Sequence, residues 1–109
     1  MLEPLLGSKS AERVLIFLLA REDGYAREIA RFFSADPDSI QKQLVKFEAG
    51  GVLVGRSLGR TRVYSLNPGY PFLKQLKALL EKALTFYRQE ERDHLVLNRR
   101  RPRRGGKPS

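Results

Sequence analysis

The chain has 109 residues, 41% hydrophobic and 30% charged, and its 21 Lys and Arg against 12 Asp and Glu leave a net charge of +9. That length fits one small domain, burying about 65% of the surface of its extended form, and the charge favours a polyanionic partner. The absence of cysteine excludes a disulfide framework, thiolate metal sites and a Cys nucleophile together, and a single His94 cannot assemble a metal cage.

The longest uninterrupted apolar run, Val14 to Ala20, is seven residues, against the roughly 18 a membrane-spanning helix needs. Glu3 precedes any apolar block and the start is not basic, unlike an export signal. A soluble, cytoplasmic protein without membrane association is expected.

In chain order, Ser8 and Ser10 can cap a helix with a body from Ala11 to about Arg21, ended by Glu22-Asp23-Gly24. Its run Val14-Leu15-Ile16-Phe17-Leu18-Leu19 is compatible with a buried strand, but good helix formers on both sides and a length near twelve residues favour a central, mostly buried helix. A shorter helix follows from about Ala26 to Phe33, with Ile29, Phe32 and Phe33 on one face and Arg27, Glu28 and Arg31 left for solvent. Asp36 before Pro37 is a start signal, a capping carboxylate ahead of a residue with a φ suited to the first helical position. The third helix is therefore Pro37 to Ala49, with Ile40, Leu44 and Phe47 as its inner stripe and Gly50-Gly51 as its end.

Val52-Leu53-Val54 and Arg62-Val63-Tyr64-Ser65-Leu66 are β-prone runs on either side of Leu58-Gly59-Arg60-Thr61, predicting a hairpin with a basic tip. After Asn67-Pro68-Gly69, a fourth helix is predicted from about Pro71 to the region of Arg92. Its stripe Leu73, Leu76, Leu80, Ala83 and Tyr87 repeats at three and four residues. Six of the nine net charges lie in the last eleven residues, as Arg99, Arg100, Arg101, Arg103, Arg104 and Lys107 without an acid. With almost nothing apolar to bury, that segment is expected to be flexible. The predicted organisation is an ordered domain over 1–92 and a basic tail over 93–109.

This order of elements resembles the winged helix-turn-helix domains of ArsR-type and related bacterial and archaeal transcription regulators. The resemblance is carried by Arg27-Glu28-Ile29-Ala30 and by Ser39-Ile40-Gln41-Lys42-Gln43-Leu44-Val45-Lys46-Phe47-Glu48-Ala49-Gly50-Gly51-Val52-Leu53. More narrowly, Leu5-Leu6-Gly7-Ser8-Lys9-Ser10 and Tyr64-Ser65-Leu66-Asn67-Pro68-Gly69-Tyr70-Pro71-Phe72-Leu73 look like a subgroup of small winged-helix proteins, some fused to or encoded beside nucleotidyltransferases. The resemblance covers about residues 5–85. It implies a mainly α fold with a small β-hairpin wing and a C-terminal dimerisation helix, and a prokaryotic DNA-binding regulator of transcription. The Cys and His ligands of metal-sensing members are missing, so metal response does not carry over, and no cofactor is expected.

In helix-turn-helix geometry the second helix enters the major groove with its early residues at base edges. With Ile40, Leu44 and Phe47 inward, Asp38, Lys42, Val45, Lys46 and Ala49 face out, flanked by Ser39 and Gln41. Gln41 suits adenine, Lys42 guanine, Ser39 either a base or phosphate, and Lys46 the backbone phosphate. Asp38 argues mildly against DNA contact, unless it serves cytosine or the helix N-terminus. Arg56, Arg60 and Arg62 in the hairpin suit a narrow groove or phosphates, and Arg99, Arg100 and Arg101 suit phosphates along the tail.

Each feature has a plainer reading. The outward helix face can be ordinary solvated surface, the wing arginines a guard against edge aggregation, the tail a solubilising end, and the Leu73–Tyr87 stripe part of the domain's own core. A two-fold interface through that stripe would set two recognition helices on half-sites about 34 Å apart.

No catalytic constellation is present: Ser65, His94 and Asp93 lack a nucleophile elbow or an oxyanion-forming loop, and there is no Walker-type loop. The chain is not expected to be an enzyme. A sequence-specific homodimer on double-stranded DNA is the leading expectation. The alternative is an interaction module for a separately encoded nucleotidyltransferase, and RNA binding ranks last for want of exposed aromatic pairs.

Overall fold

The computed structural model describes residues 1–100, with side chains described through Val96. A single turn of helix, α1 (Glu3–Leu6), closes on Gly7 at φ 103° and was not anticipated from the sequence. Ser8 then caps α2 (Lys9–Arg21), its Oγ accepting the Ala11 N–H at 3.1 Å. Nine of the thirteen α2 residues are buried, so the other elements cover most of this helix. Burying each large apolar side chain contributes about 1.5–3 kcal/mol, and Val14, Leu15, Ile16, Phe17 and Leu18 are all at most 1% exposed. The helix is the core's axis.

The chain leaves α2 through Glu22 at φ 79° and reaches Gly24. Gly24 donates to the Tyr64 carbonyl at 3.0 Å and accepts from the Tyr64 N–H at 2.8 Å. A Cβ at Gly24 would fall 2.7 Å from Cε1 of Phe17, so only glycine lets this loop lie against the core while bridging to the hairpin.

The next helices, α3 (Ala26–Phe33) and α4 (Pro37–Ala49), have the expected bounds. Asp36 caps α4, Oδ1 accepting the Asp38 N–H at 3.3 Å and Oδ2 the Ser39 hydroxyl at 3.1 Å. Ile40 and Leu44 are fully buried, and Gly51 at φ 82° turns the chain out of the helix.

Strands β1 (Leu53–Leu58) and β2 (Thr61–Leu66) pair antiparallel, from Leu53 opposite Leu66 to Leu58 opposite Thr61. They extend further toward the tip than the apolar runs suggested. The turn is the two residues Gly59-Arg60, with Gly59 at φ 62° as a first-position glycine of a primed turn requires.

The expected single fourth helix is a pair: α5 (Leu73–Leu84) and α6 (Gln89–Arg100). At the break the backbone tightens, with Phe86 N–H to Ala83 O and Tyr87 N–H to Leu84 O both at 3.0 Å. The Thr85 hydroxyl takes the Lys82 carbonyl at 2.6 Å, and Glu91 accepts the Arg88 N–H at 3.4 Å as a new helix begins. The turn is held inward by Tyr87, which donates its hydroxyl to buried Glu12 of α2 at 2.6 Å, while Leu95 brings α6 down onto the core at 0% exposure. Helix α6 runs through residue 93, where the sequence places the start of the tail, and ends at Arg100. Helix, helix-turn-helix, hairpin and helix make a winged helix-turn-helix fold.

Candidate nucleic-acid interface

A cap and a stripe orient α4. Asp36 fixes where the helix starts, and the burial of Ile40 and Leu44 with Phe47 packed beside them turns Asp38, Gln41, Lys42, Val45, Lys46 and Ala49 to solvent. The outward face is the one the wheel assigns. Its members are not equally available. Ser39 is half-buried and spends its hydroxyl on Asp36. Gln41 makes a long hydrogen bond, 3.5 Å, from Nε2 to the hydroxyl of Tyr64. The Lys46 ammonium leans over the Phe47 ring at 5.1 Å. Lys42 is exposed and, among the described residues, has no ion pair or hydrogen bond.

The three hairpin arginines also separate. Arg60 stands exposed at the turn, and no ion pair holds it among the described residues. Arg56 keeps 56% of its side chain exposed while its Nη2 lies 3.6 Å from Oδ2 of Asp23, an arrangement worth little in water.

Arg62 differs. Its Nε donates to Oε1 of Glu48 at 3.4 Å and its Nη2 to Oε2 in a fork across to the last turn of α4, and this hydrogen bonding holds the guanidinium above its ordinary pKa. The guanidinium carbon lies 5.9 Å from the centre of the Tyr64 ring. A Cβ at Gly55 would meet this guanidinium at 2.8–3.0 Å, so the glycine keeps its path open. The expectation of Arg62 as a phosphate contact therefore meets a side chain already occupied. Period-two alternation held the signal, since it puts Arg62 on the same strand face as Tyr64, which is buried. Glu48 and Gly55 were not recognised from sequence.

Of the arginine-rich end, Arg99 and Arg100 form the close of α6, and Arg101 lies outside the described residues. The stripe assigned to dimerisation is largely consumed within the domain. Leu80 is 0% and Ala83 4% exposed, both in the core cluster, with Leu76 and Tyr87 packed against it and Leu73 half-buried. The reason is geometric: α5 lies on α2, and a small domain whose central helix buries nine of its thirteen residues needs that face as cover. Beside α5, Phe72 is 62% exposed and sits edge-on to the half-buried Tyr70 at 5.8 Å.

An open cleft of about 890 Å³ lies elsewhere, bordered by Phe32, Phe33, Phe86, Tyr87 and His94, and none of the described DNA-contact candidates lines it. Among the described residues no cluster of three or more His, Asp or Glu could hold a metal ion, and no helix is long and apolar enough to cross a membrane.

No protein-family model matches the chain, and no curated protein matches it. Two solved structures do. The YusO protein from Bacillus subtilis superposes with a TM-score of 0.57 at 16% identity, over 84% of this chain and 70% of that one. A mutant of Lactococcus lactis ZitR in its apo form superposes with a TM-score of 0.54 at 20% identity, over 83% of this chain and 76% of that one. At such identities the likeness is one of architecture, and with the element order above it establishes that this chain has the winged helix-turn-helix fold.

Proposed function

We propose that the protein is a DNA-binding regulator of transcription that reads a double-stranded site with α4. The observation that carries this is the combination of an exposed Lys42 on the second helix of the helix-turn-helix with an exposed Arg60 at the tip of the adjoining wing, neither of them paired among the described residues. A helix of this kind fits the major groove with its early outward residues at the bases. Lys42 suits the N7 and O6 acceptors of guanine, and exposed Val45 offers apolar contact to a thymine methyl. Asp38, exposed beside them, accepts from a cytosine amino group while repelling phosphate, which favours a site over random sequence. Gln41 borders this face but spends its amide on a long bond to Tyr64. The first helix of such a pair crosses the DNA backbone, and Arg27 and Arg31, exposed and one turn apart on α3, supply cations for phosphates there. Arg56, Lys46 and the arginines from Arg99 onward add charge without sequence information.

Two copies acting together are part of the proposal. The surface for pairing is narrower than the whole α5 stripe, because Leu80 and Ala83 are enclosed; Leu73 and Leu76 keep an open edge. A homodimer predicts an imperfect palindrome with half-sites about 34 Å apart.

The test is affinity for the DNA upstream of its own gene against random duplex, over a range of salt. Preference for the former, with Lys42→Ala lowering discrimination at one base pair by roughly 1–3 kcal/mol, supports the reading. Equal affinities with equally steep salt slopes reduce it to nonspecific attraction.

A further inference from the structure

Resting on the DNA-binding reading above, we propose that Arg62 is a positioning residue and not a DNA contact: clamped to Glu48 along a path that Gly55 leaves open, it fixes the wing against the recognition helix so that Arg60 and Lys42 meet one duplex as a rigid unit.

An isolated two-stranded hairpin is at best marginally stable in water, so the direction of its tip is set by what it touches. The base is anchored in the core by Leu53 and Tyr64, both at 2% exposure, and by the bridge from Tyr64 to Gly24. Beyond that base the strands are exposed from Arg56 through Arg62. Two tethers reach into this outer half, and they lie on opposite faces. The register places Arg62 opposite Ser57 and Arg56 opposite Val63, and directly opposed residues share a face. Arg62 therefore ties one face to Glu48 of α4, and Arg56 ties the other to Asp23 after α2.

The Arg62 tether is the better built. It is a two-point fork, whereas the Arg56 contact is a single one at 3.6 Å. It also continues a second link along the same faces: Gln41 and Glu48 are seven residues apart on α4, and their partners Tyr64 and Arg62 are two apart on β2. Seven residues of helix span about 10.5 Å and two of strand about 6.8 Å, so the links hold the hairpin alongside α4 at two separated places, and two points fix an angle where one leaves a pivot. A Cβ at Gly55, which stands opposite Tyr64 on the same face, would press on the guanidinium.

The experiment compares Glu48→Gln, Arg62→Gln, Gly55→Ala, the double variant and the exchange Arg62→Glu with Glu48→Arg. One readout is hydrogen exchange of the hairpin amides in the free full-length protein; the other is affinity for a bound duplex across salt concentrations. If Arg62 positions the wing, each single variant speeds exchange at residues 56–62 and weakens binding by roughly two- to five-fold, the worth of an exposed ion pair. The double variant is then no worse than the singles, the salt slope is unchanged, and the exchange variant recovers affinity. Tighter binding on Glu48→Gln, together with a salt slope reduced by about one on Arg62→Gln, overturns the proposal by making Arg62 a phosphate contact. Unchanged hairpin exchange in Glu48→Gln and Gly55→Ala overturns it whether or not DNA is bound. A wild-type protein without preference for any duplex defeats the functional reading alone, leaving the exchange measurement to judge the tether.

Discussion

The α3–α4–hairpin half and the α5–α6 half carry comparable apolar stripes, yet their boundaries are set by different forces. In the first half, the ends of α4 and the hairpin turn are marked locally: Asp36-Pro37 starts α4, Gly51 at φ 82° ends it, and Gly59 at φ 62° turns the hairpin. These devices act within a few residues and hold whatever surrounds them. In the second half no glycine or proline stands between Leu73 and Arg100, and the break at residues 85–88 is enforced from a distance by Tyr87 on Glu12 and Leu95 on the core. A punctuated segment folds where its sequence says; an unpunctuated one bends where its packing demands.

That contrast is most sharply broken at Leu80. Leu80→Ala is expected to cost about 3 kcal/mol of stability, the range for a fully buried leucine, and the loss in urea denaturation should be the same at low and high protein concentration. A loss that grows on dilution would return Leu80 to an interface between copies.

Tyr87→Phe tests the distant link itself. Removing the hydroxyl that serves the Glu12 carboxylate is expected to cost about 1.5 kcal/mol. Burial first, and then the bond to Glu12, push the Tyr87 hydroxyl well above its ordinary value of 10.0. The folded protein therefore keeps a proton that the unfolded chain releases above about pH 10. The stability tied to this group is present below pH 10 and declines as pH rises beyond it. Denaturation at pH 8 and pH 10.5 should show a smaller decline in Tyr87→Phe than in the parent, and equal declines would remove Tyr87 as the cause.

The smallest effect is expected in the locally punctuated half. Asp36→Ala removes one cap from α4 and should cost about 1 kcal/mol, visible as a small loss of helical circular dichroism with the cooperative transition retained. A loss as large as that of Leu80→Ala would mean that the start of α4 also depends on remote packing.

Much of the candidate interface was legible for the same reason. Spacing alone turned Ile40, Leu44 and Phe47 inward, which left Lys42, Val45 and Lys46 outside, and Gly59-Arg60 announced the wing tip. Less legible was which polar side chains were already engaged. Ser39 answers to Asp36 three residues away, a capping relation that composition hints at. Arg62 answers to Glu48 fourteen residues away and across two elements, which no local pattern specifies.

By itself, then, the amino-acid order determined the helices α2 to α4, the hairpin and the outward side of α4, because periodicity and capping are short-range and each residue votes with its immediate neighbours. Only the folded chain decided that the last predicted helix becomes two, that Leu80 and Ala83 serve the domain's own core, and that the exposed Arg62 is paired with Glu48. These outcomes depend on which surfaces must cover the largely buried α2 and on which charges come within reach once it is covered, and both are properties of the assembled packing.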